Sequence, residues 1–75
     1  MKKIKVVVTG ATGRMGKTII RKVLSDKSFK LIGALEIAGH KKIGQDVGKI
    51  LNTKNIGIKI SDNIIDLFAN TDAVI

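Results

Sequence analysis

The chain has 75 residues, 44% of them apolar, with two Phe and neither Trp nor Tyr, so its interior must be built from aliphatic side chains. A chain this short forms one domain at most and buries only about 60–65% of the surface it exposes when unfolded, which leaves a thin stability margin. Cysteine is absent, which excludes a disulfide framework and a thiolate metal site and makes a cytoplasmic setting the default. Fourteen Lys and Arg against six Asp and Glu give a net charge of +8. These charges are scattered and have no aromatic side chains among them to stack on bases, a pattern that belongs to a solvated surface and not to a nucleic-acid interface. The apolar run Val6-Val7-Val8 is too short for a secretory signal, and no stretch has the length needed to span a bilayer.

Residues 3–9 alternate at first and then become continuously apolar, which predicts a strand entering a sheet buried on both faces. The glycine-rich run of residues 10–16 follows. Beyond it Met15, Ile19, Ile20, Val23 and Leu24 recur at helical spacing, with Arg14, Lys17, Arg21 and Lys22 on the other face. This predicts a helix lying on the sheet and ending near residues 25–28. Residues 29–35 read as a second strand, parallel to the first through a right-handed crossover, with Glu36 at its carboxyl end.

Residues 37–55 lose this regularity and predict an irregular loop with one or two helical turns at most. Residues 56–60 predict a third strand. Ser61 and Asp62 then offer an N-cap and an acidic first turn to a helix burying Ile64, Ile65, Leu67 and Phe68. Residues 72–75 open a further strand, in which the sequence stops. The expected fold is α/β, an incomplete Rossmann-type parallel sheet with flanking helices, and residues 1–75 would be the N-terminal part of a dinucleotide-binding domain. An isolated sheet with an unfinished edge is expected to be marginally stable and prone to self-association.

The run Gly10-Ala11-Thr12-Gly13-Arg14-Met15-Gly16 stands between the first strand and the helix. A dinucleotide pyrophosphate needs closer backbone approach than a β-carbon permits, and the amides and dipole of a helix N-terminus attract its charge. Gly10 can make the tight turn, Gly13 can admit the pyrophosphate, and Gly16 can let the helix lie close to the strand. Three glycines at G-x-x-G-x-x-G spacing are a weak signal alone. Their place after a strand, and an acidic residue twenty positions beyond Gly16 at the next strand end, strengthen it, because a carboxylate at Glu36 can accept both ribose hydroxyls. The competing reading of Glu36 is an ordinary solvent-facing carboxylate. Arg14 opposes the helix dipole, which a bound anion would offset; the competing reading is a surface arginine over the sheet edge. His40 has no nucleophile or paired carboxylate at catalytic spacing and reads as a loop residue. Asp46, Asp62, Asp66 and Asp72 fall on separate elements and define no metal or acid–base set.

Taken together, Val-Thr-Gly-Ala-Thr-Gly-Arg-Met-Gly-Lys, Leu-Ile-Gly-Ala-Leu-Glu and the later Ile-Gly-Gln-Asp-Val-Gly closely resemble the dihydrodipicolinate reductase family, over essentially all 75 residues. The resemblance implies NAD(P)H-dependent reduction of 4-hydroxy-tetrahydrodipicolinate in lysine and diaminopimelate synthesis. It further implies a small dicarboxylate substrate, a homotetrameric parent, and no membrane or nucleic-acid partner. Residues 10–15 match the family's phosphate-binding stretch and Glu36 its ribose-binding carboxylate. Members commonly carry an Arg after that Glu, paired with the 2′-phosphate of NADPH. Here the position is Ile37, so either Lys41 or Lys42 substitutes for it or NADH is favoured; NADH is expected to bind at least as tightly as NADPH. The family's substrate domain, with its His- and Lys-containing motif, has no counterpart in these residues, so no catalytic residue can be placed. Two alternatives remain open. Thr-Gly-Ala-Thr-Gly also opens extended short-chain dehydrogenase/reductases, and a short chain of this kind can be a non-catalytic nucleotide-binding module.

Overall fold

Four parallel strands form one sheet in the computed structural model, which describes residues 3–63, 65 and 69–75. In chain order the elements are β1 (Ile4–Thr9), α1 (Arg14–Ser25), β2 (Phe29–Leu35), α2 (Val47–Ile50), β3 (Ile60–Ser61) and β4 (Ala73–Val74), and the strands lie in the order β3-β2-β1-β4. This is the order of the first half of a Rossmann-type sheet, and it reverses direction beside β1.

β1 is the centre of the sheet because its side chains are apolar on both faces. Val6 and Val8 belong to the main core with Ile20, Val23, Leu31, Ala34, Val47 and Leu51, and Val7, which points to the opposite face, is equally inaccessible. Burying each such valine contributes about 1.5–3 kcal/mol. The register with β2 slips by one residue, from Val6 opposite Leu31 to Val7 opposite Gly33, so Ile32 is a bulge that periodicity did not reveal.

α1 ends in a turn that leads directly into β2. The Asp26 carboxylate accepts from the Ser28 amide at 2.8 Å, and the Phe29 amide donates to the Asp26 carbonyl at 3.2 Å. The buried stripe of α1 is narrower than the sequence predicts. Gly16, Ile20 and Val23 are buried, whereas Met15 is 72% exposed and Leu24 42% exposed. The buried positions Gly16, Ile20 and Val23 stand at i, i+4 and i+7 on one line of the helix, and Met15 lies to one side of it.

The loop contains one helical turn, α2, as expected, but the third strand is only two residues long. Ile56, Ile58 and Ile60 alternate as a strand would, yet the preceding loop takes up most of their hydrogen bonds. The Val47 amide donates to the Ile58 carbonyl, the Ile60 amide to the Gln45 carbonyl, and the Gly44 amide to the Ile60 carbonyl, each at 2.8 Å. The Asp46 carboxylate accepts from the amides of Gly48 at 2.7 Å and of Ile56 and Gly57 at 2.8 Å. These bonds, that of Ile56 foremost, hold its pKa below the ordinary range. Its contribution is therefore full above that range and is lost as the pH falls through the lowered value. Asp46→Ala is expected to raise hydrogen exchange at Gly48, Ile56 and Gly57 by an order of magnitude or more while β1 amides change less, since local opening is reported locally; uniform protection would show that the carboxylate is dispensable.

The Ser61 hydroxyl accepts from the Asn63 amide at 2.9 Å, the contact expected of an N-cap. The helix predicted after it lies mostly outside the described residues, as do Ile64, Leu67 and Phe68. Ile65 is described, and at 79% exposure it is not buried as predicted. At the other edge the Asp72 carboxylate accepts from the Lys5 amide at 2.9 Å, and the Thr9 amide and hydroxyl both donate to the Ile75 carbonyl, at 2.7 and 3.0 Å.

Candidate functional site

The turn after β1 is built around the Gly10 carbonyl. Gly10 is left-handed at φ +59°, its carbonyl accepts from the Gly13 amide at 3.0 Å, and the Ala11 amide donates to the Leu35 carbonyl of β2 at 3.1 Å. A β-carbon on Gly16 would lie 2.1 Å from the Gly10 oxygen and 2.9 Å from the Ala11 Cα, so the first turn of α1 rests on the backbone of this turn. At Gly13 the corresponding distance is 3.3 Å, a tight but yielding contact. Gly13 caps α1 without a capping side chain, and the first turn holds no acidic residue. The first turn of α1 therefore supplies no counter-charge of its own to the helix dipole, and its free amides suit a bound anion. Arg14 and Met15 are exposed beside it, whereas Ala11 is buried in the core, so it can meet a ligand only through its backbone.

Glu36 follows β2 and reaches back to this turn. Its Oε2 accepts from the Thr12 amide at 2.8 Å and from the Thr12 hydroxyl. The Thr12 hydroxyl holds the carboxyl pKa below the usual glutamate range, against the opposing effect of burial, with the Thr12 amide and the nearby His40 helping. Because the folded value is the lower one, the stabilisation is complete above the usual range and disappears as the pH falls through the folded value. Thr12→Val removes the hydroxyl at nearly constant volume. It is expected to raise the Glu36 pKa and to flatten the loss of stability as the pH falls through the folded value, as followed by urea denaturation and by the carboxyl ¹³C resonance; an unchanged titration would remove the hydroxyl from this role.

His40, read from the sequence as a loop residue, is part of the same cluster. Its Nε2 lies 3.2 Å from the Thr12 hydroxyl, and its Nδ1 accepts from the Lys42 amide at 3.0 Å. A Gly-His pair in a loop carries no spacing signal, so this contact was not legible in advance. A cavity of about 360 Å³ opens beside the carboxylate, between Thr9 and Gly10 on one side and Leu35, Glu36, Ile37 and Ala38 on the other, with Asp62 at its margin. Two acidic residues from separate elements thus face one cavity. Larger hollows of about 560 and 760 Å³ lie along α1 and near its carboxyl end. Neither is lined by a residue of the glycine turn or by Glu36, and the reversal of strand order beside β1 favours the smaller cavity as the ligand crevice.

The family model described as dihydrodipicolinate reductase, N-terminus, matches residues 4–75. The chain belongs to the dihydrodipicolinate reductase family. It is 41% identical over 70 residues to the 4-hydroxy-tetrahydrodipicolinate reductase of Ruegeria pomeroyi, covering 93% of this chain and 26% of that protein. The protein of the same name from Burkholderia multivorans is 43% identical over 72 residues, 96% of this chain and 27% of its own length. That from Methanothermobacter thermautotrophicus is 39% identical over 71 residues, 92% of this chain and 26% of its own length. The chain therefore spans about a quarter of the length of the curated relatives it matches. Membership of this family sets aside the short-chain dehydrogenase reading. Among the described residues no helix is long and apolar enough to cross a membrane.

Proposed function

We propose that residues 1–75 form part of the nucleotide-binding domain of an enzyme that reduces 4-hydroxy-tetrahydrodipicolinate to tetrahydrodipicolinate with NAD(P)H. The observation that carries this reading is the Glu36 carboxylate, tied to Thr12 of the glycine turn and bordering the cavity at the carboxyl ends of β1 and β2. The bound cofactor supplies the hydride. The backbone of Gly10, Ala11, Thr12, Gly13, Arg14 and Met15 receives the pyrophosphate, Gly16 keeps the helix N-terminus within reach of it, and Glu36 accepts the adenosine-ribose hydroxyls. The substrate is a small dicarboxylate, handled by parts of the protein other than these residues, and a homotetrameric assembly belongs to the same reading by resemblance. NADH titrated into the chain at 0.15 M salt should bind saturably; no binding at millimolar cofactor would refute the proposal.

Ile37 bears on the choice of cofactor. It borders the cavity, is 76% exposed and offers no donor to a 2′-phosphate, while Glu36 and Asp62 oppose added negative charge there. The net charge of +8 attracts NADPH at long range, but salt screens this attraction within about 8–10 Å. Contact geometry therefore decides, and NADH should bind at least as tightly as NADPH. Ile37→Arg introduces a forked charge-assisted donor and is expected to shift the affinity ratio towards NADPH by about tenfold or more. Comparing both affinities in Ile37→Arg and in Lys41→Ala/Lys42→Ala checks the assignment. A wild-type NADPH preference that is abolished by the lysine changes would transfer the role to the loop.

A further inference from the structure

His40 is drawn over the ribose carboxylate by a loop made of successive turns. The His40 amide donates to the Ile37 carbonyl, and the Ile43 amide donates to the His40 carbonyl, both at 3.1 Å. Its ring then spans the Lys42 amide, whose polarity is fixed, and the Thr12 hydroxyl, which can donate or accept. The Lys42 amide can only donate, so Nδ1 accepts at 3.0 Å and the ring hydrogen sits on Nε2. From Nε2 that hydrogen is directed at the Thr12 hydroxyl oxygen 3.2 Å away, while the Thr12 hydroxyl hydrogen goes to Glu36 Oε2. Donors therefore run one way, from the Lys42 amide through His40 and Thr12 to a single oxygen of Glu36.

We infer that His40 is a positioning residue for the ribose carboxylate, holding the Thr12 hydroxyl so that Glu36 Oε2 is occupied and Oε1 is left for the ribose hydroxyls. The inference rests on the nucleotide reading above. The direction of the chain depends on the ring tautomer. With the hydrogen on Nδ1, Nε2 would become an acceptor and would compete with Glu36 for the Thr12 hydroxyl hydrogen, and the Lys42 amide would face another donor. The Lys42 amide selects the arrangement that serves Glu36. Without the ring, the Thr12 hydroxyl is free to rotate towards water, and the carboxylate keeps only the Thr12 amide to fix its orientation. Any ligand must then fix both, an ordering cost that the wild-type protein has already met.

The test uses ADP-ribose, which carries the adenosine ribose and pyrophosphate but no nicotinamide, titrated into the whole chain by calorimetry. His40→Leu should weaken binding by about three- to tenfold, the value of one ordinary hydrogen bond. His40→Gln, whose amide nitrogen can take the place of Nε2, should restore binding to within about twofold. Independently of ligand, NMR of the wild type should show ¹⁵N shifts of the Nε2–H tautomer, and a slowly exchanging Thr12 hydroxyl proton should be present in wild type and His40→Gln and lost in His40→Leu. Equal affinity of wild type and His40→Leu, or a Gln variant as weak as the Leu variant, overturns the inference. Tight wild-type binding with an unprotected hydroxyl also overturns it while sparing the nucleotide reading. Absence of wild-type ADP-ribose binding removes both.

Discussion

Gly16→Ala is expected to destabilise the chain by about 2–3 kcal/mol, the largest effect of a single methyl group anywhere in the glycine turn. The added β-carbon would stand 2.1 Å from the Gly10 carbonyl oxygen and 2.9 Å from the Ala11 Cα and the Gly10 carbonyl carbon. All three are backbone atoms, so no flexible side-chain end can yield, and the cost falls at or above the upper end of the roughly 1–3 kcal/mol typical of overpacking. Alanine's helix propensity returns up to about 1 kcal/mol at an α1 position, which is why the net figure stays near 2–3. A domain of this size has about 4–11 kcal/mol of stability in all, so the variant retains a fold only if the parent lies well inside that range. Gly13→Ala is the control: its β-carbon would meet the same oxygen at 3.3 Å, where a movement of a few tenths of an ångström suffices to relieve the contact. Urea denaturation should rank Gly16→Ala well below Gly13→Ala. Equal midpoints would show that α1 can slide off the turn without cost, and with it would go the argument that Gly16 holds the helix N-terminus in reach of a pyrophosphate.

The geometry of the glycine turn and the place of Glu36 were legible because they follow from covalent facts. A missing β-carbon permits a contact that nothing else can make, and a carboxylate after a buried strand must emerge at the strand's end. The parallel pairing of β1 with β2 followed in the same way from one apolar run and one amphipathic helix. What stayed hidden were matters of which neighbour takes a hydrogen bond. Ile56, Ile58 and Ile60 have the alternation of a strand, and alternation reports which side chains are buried, but it does not say that the Asp46 carboxylate will claim the amides of Ile56 and Gly57. Met15 fits the apolar stripe of α1 by periodicity, yet the helix turns the line through Gly16, Ile20 and Val23 to the sheet and leaves Met15 exposed. The Ile32 bulge and the His40–Thr12 contact arise from pairings 25 or more residues apart in sequence, where local pattern has nothing to say.

Glu36→Gln separates the observed role of this side chain, holding Thr12, from its proposed one, accepting the ribose hydroxyls, and for that reason it is the sharper test of the site than truncation to alanine. Glu36→Ala deletes the acceptor of the Thr12 amide and hydroxyl, so it loosens the turn as well as the ligand contact. It should weaken ADP-ribose or NADH binding by about 10- to 150-fold, the equivalent of the roughly 1.5–3 kcal/mol attached to a hydrogen bond with a charged partner. Glutamine keeps one carbonyl oxygen, which can accept both Thr12 bonds, and turns its amide towards the cavity in place of Oε1. The fold should then hold, with a urea midpoint close to wild type at pH 7, while the charge-assisted acceptance of two ribose hydroxyls is lost. Affinity for the nucleotide should still fall by about tenfold or more. The pH response gives a second check. The lowered pKa of Glu36 makes its stabilising effect full above the ordinary glutamate range and absent once the pH has fallen through the folded value, so the glutamine variant should lose less stability on acidification than wild type. If Glu36→Gln binds as tightly as wild type and only the alanine variant is weak, the carboxylate is a clasp for Thr12 and the ribose is held by something else.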